Sequence, residues 1–200
     1  HGESLGEHEE QEHGFFIYNS TVHVPLIIKF PAGYTPAHRD MVEVVNTIDI
    51  APTLVRFCGL PGPAARTFRG QSLMSLVEKD SPGAPRYGFS ETLYPRNFLG
   101  SHPLFGMQTE RYHFIRAPRE ELYDLEGDRE ERRNIVKDKP EVAQAMREML
   151  LDIRSRFRMR QGSGASPTSL DPEAVEKLRS LGYVSLSTAK PPLEDDATAP

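Results

Sequence analysis

The spacing of apolar and polar positions changes several times along this 200-residue chain, and each spacing predicts a different element. His1 to Gly14 holds a single apolar position, Leu5, among Gly, His, Gln, Ser and Glu, and reads as a loop. Val24-Pro25-Leu26-Ile27-Ile28-Lys29-Phe30 is an almost continuous apolar run of strand length. It predicts a strand buried on both faces of a parallel sheet, with Pro25 near the start where a strand tolerates proline. Met41 to Val45 predicts a second short strand. Asp49 stands where a helix cap belongs, so a helix is expected from Ile50 to Cys58, stopped by Gly59, with Ile50, Leu54 and Phe57 on one face. Leu73, Leu76 and Val77 mark another short helix, ended by Asp80-Ser81-Pro82-Gly83.

From Pro85 the period shortens. Arg86–Tyr94, Leu104–Thr109, Arg111–Arg116 and Leu122–Leu125 are short alternating or aromatic runs with short links, which predicts a small antiparallel sheet. After Pro140 the period becomes helical. Val142, Met146, Met149, Leu150, Ile153 and Phe157 fall on one stripe, and Pro140 suits the first turn. Gln161 to Ser169 reads as a Gly/Ser linker, Asp171-Pro172 opens a short helix stopped by Gly182, and the tail after Ser187 reads as disordered. The class is therefore α/β. A doubly buried strand needs neighbours that this chain does not supply, so the pattern predicts part of a larger fold.

Composition narrows the function classes. An apolar share of 38% suits a soluble globular piece with a moderate core. A formal net charge of -5 gives no drive toward nucleic acid. The single cysteine, Cys58, excludes an intrachain disulfide and reads as a small buried residue at a helix end. No apolar run approaches a membrane span, and no signal peptide stands at the start. His8 with Glu3, Glu7, Glu9, Glu10 and Glu12 reads as a solvated loop rather than a metal cluster. His23, His102 and His113 read as structural, although a loop from Arg96 to His102 has the reach to touch a substrate. Arg154, Arg156, Arg158 and Arg160 read as a solvated helix face.

Several stretches, in order, resemble type I sulfatases of the alkaline phosphatase-like superfamily. His1-Gly2-Glu3-Ser4-Leu5-Gly6-Glu7-His8 resembles the segment in which Asp-His-Gly-Glu closes a strand at the metal site. His13-Gly14-Phe15-Phe16-Ile17-Tyr18-Asn19-Ser20-Thr21-Val22-His23-Val24-Pro25-Leu26-Ile27 resembles the next stretch of bacterial members. Val45-Asn46-Thr47-Ile48-Asp49-Ile50-Ala51-Pro52-Thr53-Leu54 resembles the helix after the last central strand. Glu121-Leu122-Tyr123-Asp124-Leu125, Arg133-Asn134 and Leu178-Arg179-Ser180-Leu181-Gly182-Tyr183-Val184 resemble the C-terminal subdomain and its end. The resemblance implies the C-terminal part of an alkaline phosphatase-like α/β sandwich, followed by a small antiparallel sheet with a packed helix. The implied division is residues 1–83 for the end of the α/β core, 84–160 for an α+β subdomain, 161–186 for a linker and short helix, and 187–200 for a tail.

The chemistry implied is sulfate ester hydrolysis with a divalent cation, usually Ca2+, and a formylglycine nucleophile made from a Cys/Ser-x-Pro-x-Arg motif. His1 would be the second ligand of the Asp-His pair, its Asp lying immediately upstream. His13 is the candidate for the Lys or His whose charge holds a sulfate oxygen or aids the leaving group. Cys58 is followed by Gly59, Leu60 and Pro61, and Ser101-His102-Pro103 by Leu104 and Phe105, so neither is the nucleophile motif. Taken alone, the chain is expected not to turn over sulfate esters. The implied substrate is a sulfated small molecule or carbohydrate, and the family implies a periplasmic or extracellular setting. A phosphodiesterase or phosphonate monoester hydrolase of the same superfold, and a non-catalytic remnant, are the alternatives.

Overall fold

The alternating segments fold as one antiparallel sheet. In the computed structural model β1 (Gly88–Thr92), β2 (Leu104–Gln108), β3 (Tyr112–Arg116) and β4 (Glu121–Asp124) lie in the order β1-β2-β3-β4. The structure describes residues 2–36, 40–60, 68–78 and 86–159, together with Glu173 and Lys177. Register sorts the side chains by face. Met107 pairs with Phe114, and Phe114 with Leu122, so these three form one row across the sheet. All three are fully buried, beneath the last long helix.

That helix is α5 (Pro140–Met159). Ala143, Met146, Leu150 and Ile153 are its buried positions, and they pack on Phe105, Met107, Phe114 and Leu122. Each of these side chains larger than alanine contributes about 1.5–3 kcal/mol on burial. Met149, expected on the stripe, is 36% exposed, because the i, i+3, i+7, i+10 row from Ala143 turns it to the flank. Arg147 clasps Glu120 through two bonds of 2.9 and 2.5 Å, which fixes α5 to the β3–β4 turn and holds the Glu120 carboxyl below its usual range. Asn134 accepts the Leu122 and Val136 N–H groups and donates to the Glu120 carbonyl, which lays residues 134–136 along the edge of β4.

The helix expected at Ile50 is α2 (Ile50–Phe57), but Asp49 does not cap it. A capping box begins one turn earlier at Asn46, and the 3-10 turn Thr47–Asp49 runs into α2. Asp49, 3% exposed, instead accepts from the Asn46 N–H (3.1 Å), the Gln71 N–H (2.7 Å) and Arg86 (3.1 Å). Thr53 donates to the Asp49 carbonyl and accepts from the Leu73 N–H just before α3 (Met74–Glu78). The Asn46 side chain bonds the Tyr87 carbonyl and the Phe89 N–H, so this helical segment closes the free edge of β1.

Two expected strands do not form. Val24–Phe30 and Met41–Val45 join no ladder, and Ile27 and Val42 are 89% and 81% exposed. An apolar run becomes a doubly buried strand only between two others, and none of the described strands pairs with these segments. Cys58 is exposed rather than buried, at the C-terminal end of α2. Residues expected as a loop near Arg96 instead form α4 (Tyr94–Leu99), with Pro95 in its first turn and Gly100 as a left-handed cap. The stop at Asp80–Gly83, the linker at 161–169 and the tail after Ser187 lie outside the described residues. Glu173 and Lys177 are both helical, where a short helix was expected. The chain divides into two compact units, His1–Phe157 and Arg158–Pro200.

Candidate functional site

Residues 2–23 form a pad that closes on itself. The Gly2 N–H donates to the Thr21 carbonyl (3.0 Å), the Ser4 N–H to the Glu12 carbonyl (2.9 Å), and the Ser4 and Ser20 hydroxyls share a 2.8 Å bond. A Cβ on Gly2 would stand 2.5 Å from the Ser20 carbonyl oxygen, so only glycine permits this approach. Glu10 is not a solvated loop residue. It is 9% exposed and accepts from the Phe15 and Phe16 N–H groups. His8 is also held, stacked on Tyr18 at 3.6 Å with its Nε2 3.1 Å from the Glu130 carbonyl.

The pad docks on the sheet face opposite α5. Ile17 enters a cluster with Leu104, Ile115, Tyr123 and Leu125. Tyr18 precedes the short α1 (Asn19–Val22), and both Tyr18 and Tyr123 donate to one Glu121 oxygen, at 2.8 and 2.7 Å. The Thr92 hydroxyl donates to the Gly14 carbonyl (2.6 Å). His113 and Glu131, both buried, pair through Nδ1 and Oε1, and the second Glu131 oxygen accepts the Asn19 N–H at 2.7 Å. His113 is thus structural in its surroundings, as its place in β3 led one to expect.

Burial, followed by the Glu121 charge and hydrogen bond, pushes both the Tyr18 and Tyr123 hydroxyls above their ordinary value of 10.0. A raised folded-state value stabilises the fold fully below the unfolded value, and that contribution fades as pH climbs through the folded one. Stability should therefore fall as pH rises above about 10. Denaturant midpoints measured from pH 8 to 12 should decline less steeply for the Tyr18→Phe/Tyr123→Phe double variant than for the parent. Parallel declines would rule this linkage out.

Of the two site residues named from sequence, His13 is placed and His1 lies outside the described residues. His13 is half-exposed, with Nδ1 2.8 Å from Glu3 Oε1, and a carboxylate on one ring nitrogen orients the imidazole. The residue after His1 is anchored through Gly2 to Thr21. Among the described residues no group of three or more His, Cys, Asp or Glu side chains is arranged to hold a metal ion. No helix among them is long and apolar enough to cross a membrane. Sequence reasoning missed Glu10, Glu121 and Glu131. Glu131 sits in the run Asp128-Arg129-Glu130-Glu131-Arg132-Arg133, where nothing distinguishes it from solvated neighbours.

Comparison with known proteins meets this architecture. A family described as N-sulphoglucosamine sulphohydrolase, C-terminal, matches residues 6–156. A sulfatase of Formosa agariphila is 26% identical over 176 residues, which cover 80% of this chain and 31% of that protein. The crystal structure of a putative sulfatase from Bacteroides thetaiotaomicron matches with a TM-score of 0.65 and 24% identity, over 86% of this chain and 38% of that one. A phosphonate monoester hydrolase from Silicibacter pomeroyi matches with a TM-score of 0.56 and 25% identity, over 79% and 33%. The chain spans about a third of the length of the relatives it matches. It belongs to the N-sulphoglucosamine sulphohydrolase C-terminal family, as the C-terminal portion of a sulfatase of the alkaline phosphatase-like superfamily.

Proposed function

We propose that this chain serves in a complete sulfatase hydrolysing sulfated small molecules or carbohydrates, to which it contributes the pad bearing His13 and the ligand His1. The observation that carries this reading is a closed, docked pad with His13 oriented by Glu3, lying largely within the stretch matched by the sulfatase family. The family's own description names a sulphated amino sugar, which supports a carbohydrate substrate. His13 would hold a sulfate oxygen or give a proton to the leaving oxygen, a role suited to an imidazole positioned by a carboxylate. Residues 94–106, which include α4, would contribute to substrate choice, because β1 ends at Thr92 against Gly14, next to His13.

The described residues do not by themselves form a cation site. A Ca2+ or other divalent ion would take His1 together with ligands from the rest of the enzyme. The formylglycine nucleophile would likewise come from there. Purified full-length protein, containing this chain and the rest of the sulfatase, should release sulfate from aryl or sugar sulfates faster than it cleaves phosphonate monoesters. The reverse order would favour the phosphonate monoester hydrolase reading, which the Silicibacter pomeroyi structure supports.

A further inference from the structure

Glu131 is the one described residue that reaches from the turn after β4, through the sheet's face, to a backbone N–H of the pad. It is 2% exposed, and both of its oxygens are engaged, one by His113 and one by Asn19. Its backbone sits at φ 55°, a left-handed conformation that L side chains rarely adopt. Asp128 holds that turn in place by accepting the Arg132 and Arg133 N–H groups at 3.0 and 2.8 Å. A carboxyl group in a strained turn, buried and doubly bonded, is retained only where its contacts over-determine it.

His113 completes the arrangement. It is fully buried on the pad side of β3, and its Nε2 has no hydrogen-bond partner among the described residues. A Cβ on Gly106 would stand 2.3 Å from Ser90 Oγ, 3.1 Å from that nitrogen and 3.2 Å from Ile17 Cδ1, so the imidazole, β1, β2 and the pad meet at this glycine. With the Glu131 oxygen on Nδ1, the ring proton belongs on Nδ1, which leaves a bare nitrogen rather than an unpaired buried N–H at Nε2.

We propose that Glu131, with His113 behind it, is the positioning pair for the His13-bearing pad, fixing where that loop stands relative to the rest of the active site. Its catalytic consequence rests on the proposed sulfatase function, although the clamp itself does not. Because residues 2–23 are closed by the Gly2–Thr21, Ser4–Glu12 and Ser4–Ser20 bonds, the pad moves as one body. A hold on Asn19 is therefore a hold on His13. Glu131 touches no reacting atom, and its effect on rate passes through the pad.

The test has two arms. In this 200-residue chain, Glu131→Ala should speed amide hydrogen exchange across residues 2–23 by roughly 10-fold or more while leaving β2 and β3 amides unchanged. Glu131→Gln keeps an oxygen for Asn19 but presents an NH2 to His113. The imidazole 15N shifts of His113 should then move from the Nδ1–H to the Nε2–H tautomer, with smaller changes in pad exchange. In the full-length enzyme, Glu131→Ala should lower kcat by about 10-fold or more while KM moves less than about 2-fold, and Glu131→Gln should recover much of the loss. Unchanged pad exchange, or exchange that rises equally in β2 and β3, overturns the clamp. A loosened pad with kcat intact overturns the positioning role. A full-length parent without sulfatase activity would sink the functional reading instead, and the exchange arm would still decide the clamp.

Discussion

Replacing Asp49 by Ala should cost about 3–5 kcal/mol of stability, the expected toll for leaving a buried cation without its partner. The Arg86 side chain is 12% exposed and Asp49's is 4% exposed, so water replaces little of the lost contact. The same change strips the acceptor from the Asn46 and Gln71 N–H groups. Each buried donor left unmatched adds about 1–3 kcal/mol of desolvation penalty, although these terms overlap with the charge term rather than summing. Asp49→Asn should fall in between, since it keeps one acceptor oxygen and loses the charge. Denaturant melts followed by far-UV circular dichroism on parent, D49A and D49N would read this. A loss below about 1 kcal/mol for D49A would mean that Arg86 finds water or another acceptor, and that Asp49 is not the hub of residues 46–86.

The reason Asp49 matters was only half visible in the sequence. A carboxylate just ahead of an apolar helical run does mark a helix start, and α2 begins at the next residue. The cap, however, belongs to Asn46, and the partners of Asp49 come from residues 22 and 37 positions further on, separations to which no local pattern is sensitive. The sheet was legible for the opposite reason. In β3, His113 and Ile115 face the pad while Phe114 faces α5, so strict alternation survives burial on both faces. On α5, Met146, Leu150 and Ile153 were legible as buried, whereas Val142 is only partly buried, Met149 yields to Ala143 because alanine gives a weak signal on a hydrophobic stripe, and the Phe157 side chain lies outside the described residues. Val24–Phe30 was misread for a physical reason. The run has the composition of a central strand, but composition cannot supply the neighbours that make one, and in this chain Leu26 and Ile27 meet solvent.

The candidate site rests on a different kind of signal. No spacing rule singles out His13 among the His and Glu residues of the first loop. The likeness to sulfatases did so, and the geometry now adds a physical ground, the Glu3 carboxylate at 2.8 Å. What stayed hidden were the groups that hold the pad. Glu121 and Glu131 are acidic residues in polar surroundings of the sequence, yet one binds the buried Tyr123 and the partly buried Tyr18, and the other a buried histidine. Charge alone reads as surface, and only the fold shows that these carboxylates point inward.

His13→Ala in the full-length enzyme should lower kcat/KM by about 10²–10⁴-fold, the usual range for a positioned proton donor or acceptor. Its side chain is 37% exposed and lies outside both core clusters, so the substitution should shift stability by no more than about 0.5 kcal/mol. A rate loss with an unchanged melting curve would then be a loss at the site and not a loss of fold. Two roles are separable by leaving group. If His13 protonates the departing oxygen, a nitrophenyl sulfate, which leaves readily as an anion, should suffer much less than a sugar sulfate, whose alkoxide needs the proton. If it holds a sulfate oxygen, both substrates should lose equally, because the sulfuryl group is common to them. Glu3→Gln should cost less than His13→Ala in either case, since the amide oxygen can still accept from Nδ1 and keep the ring in place. Undiminished kcat/KM on both substrates for the His13 variant would remove this residue from the mechanism and leave the pad with His1 as its only candidate contribution to catalysis.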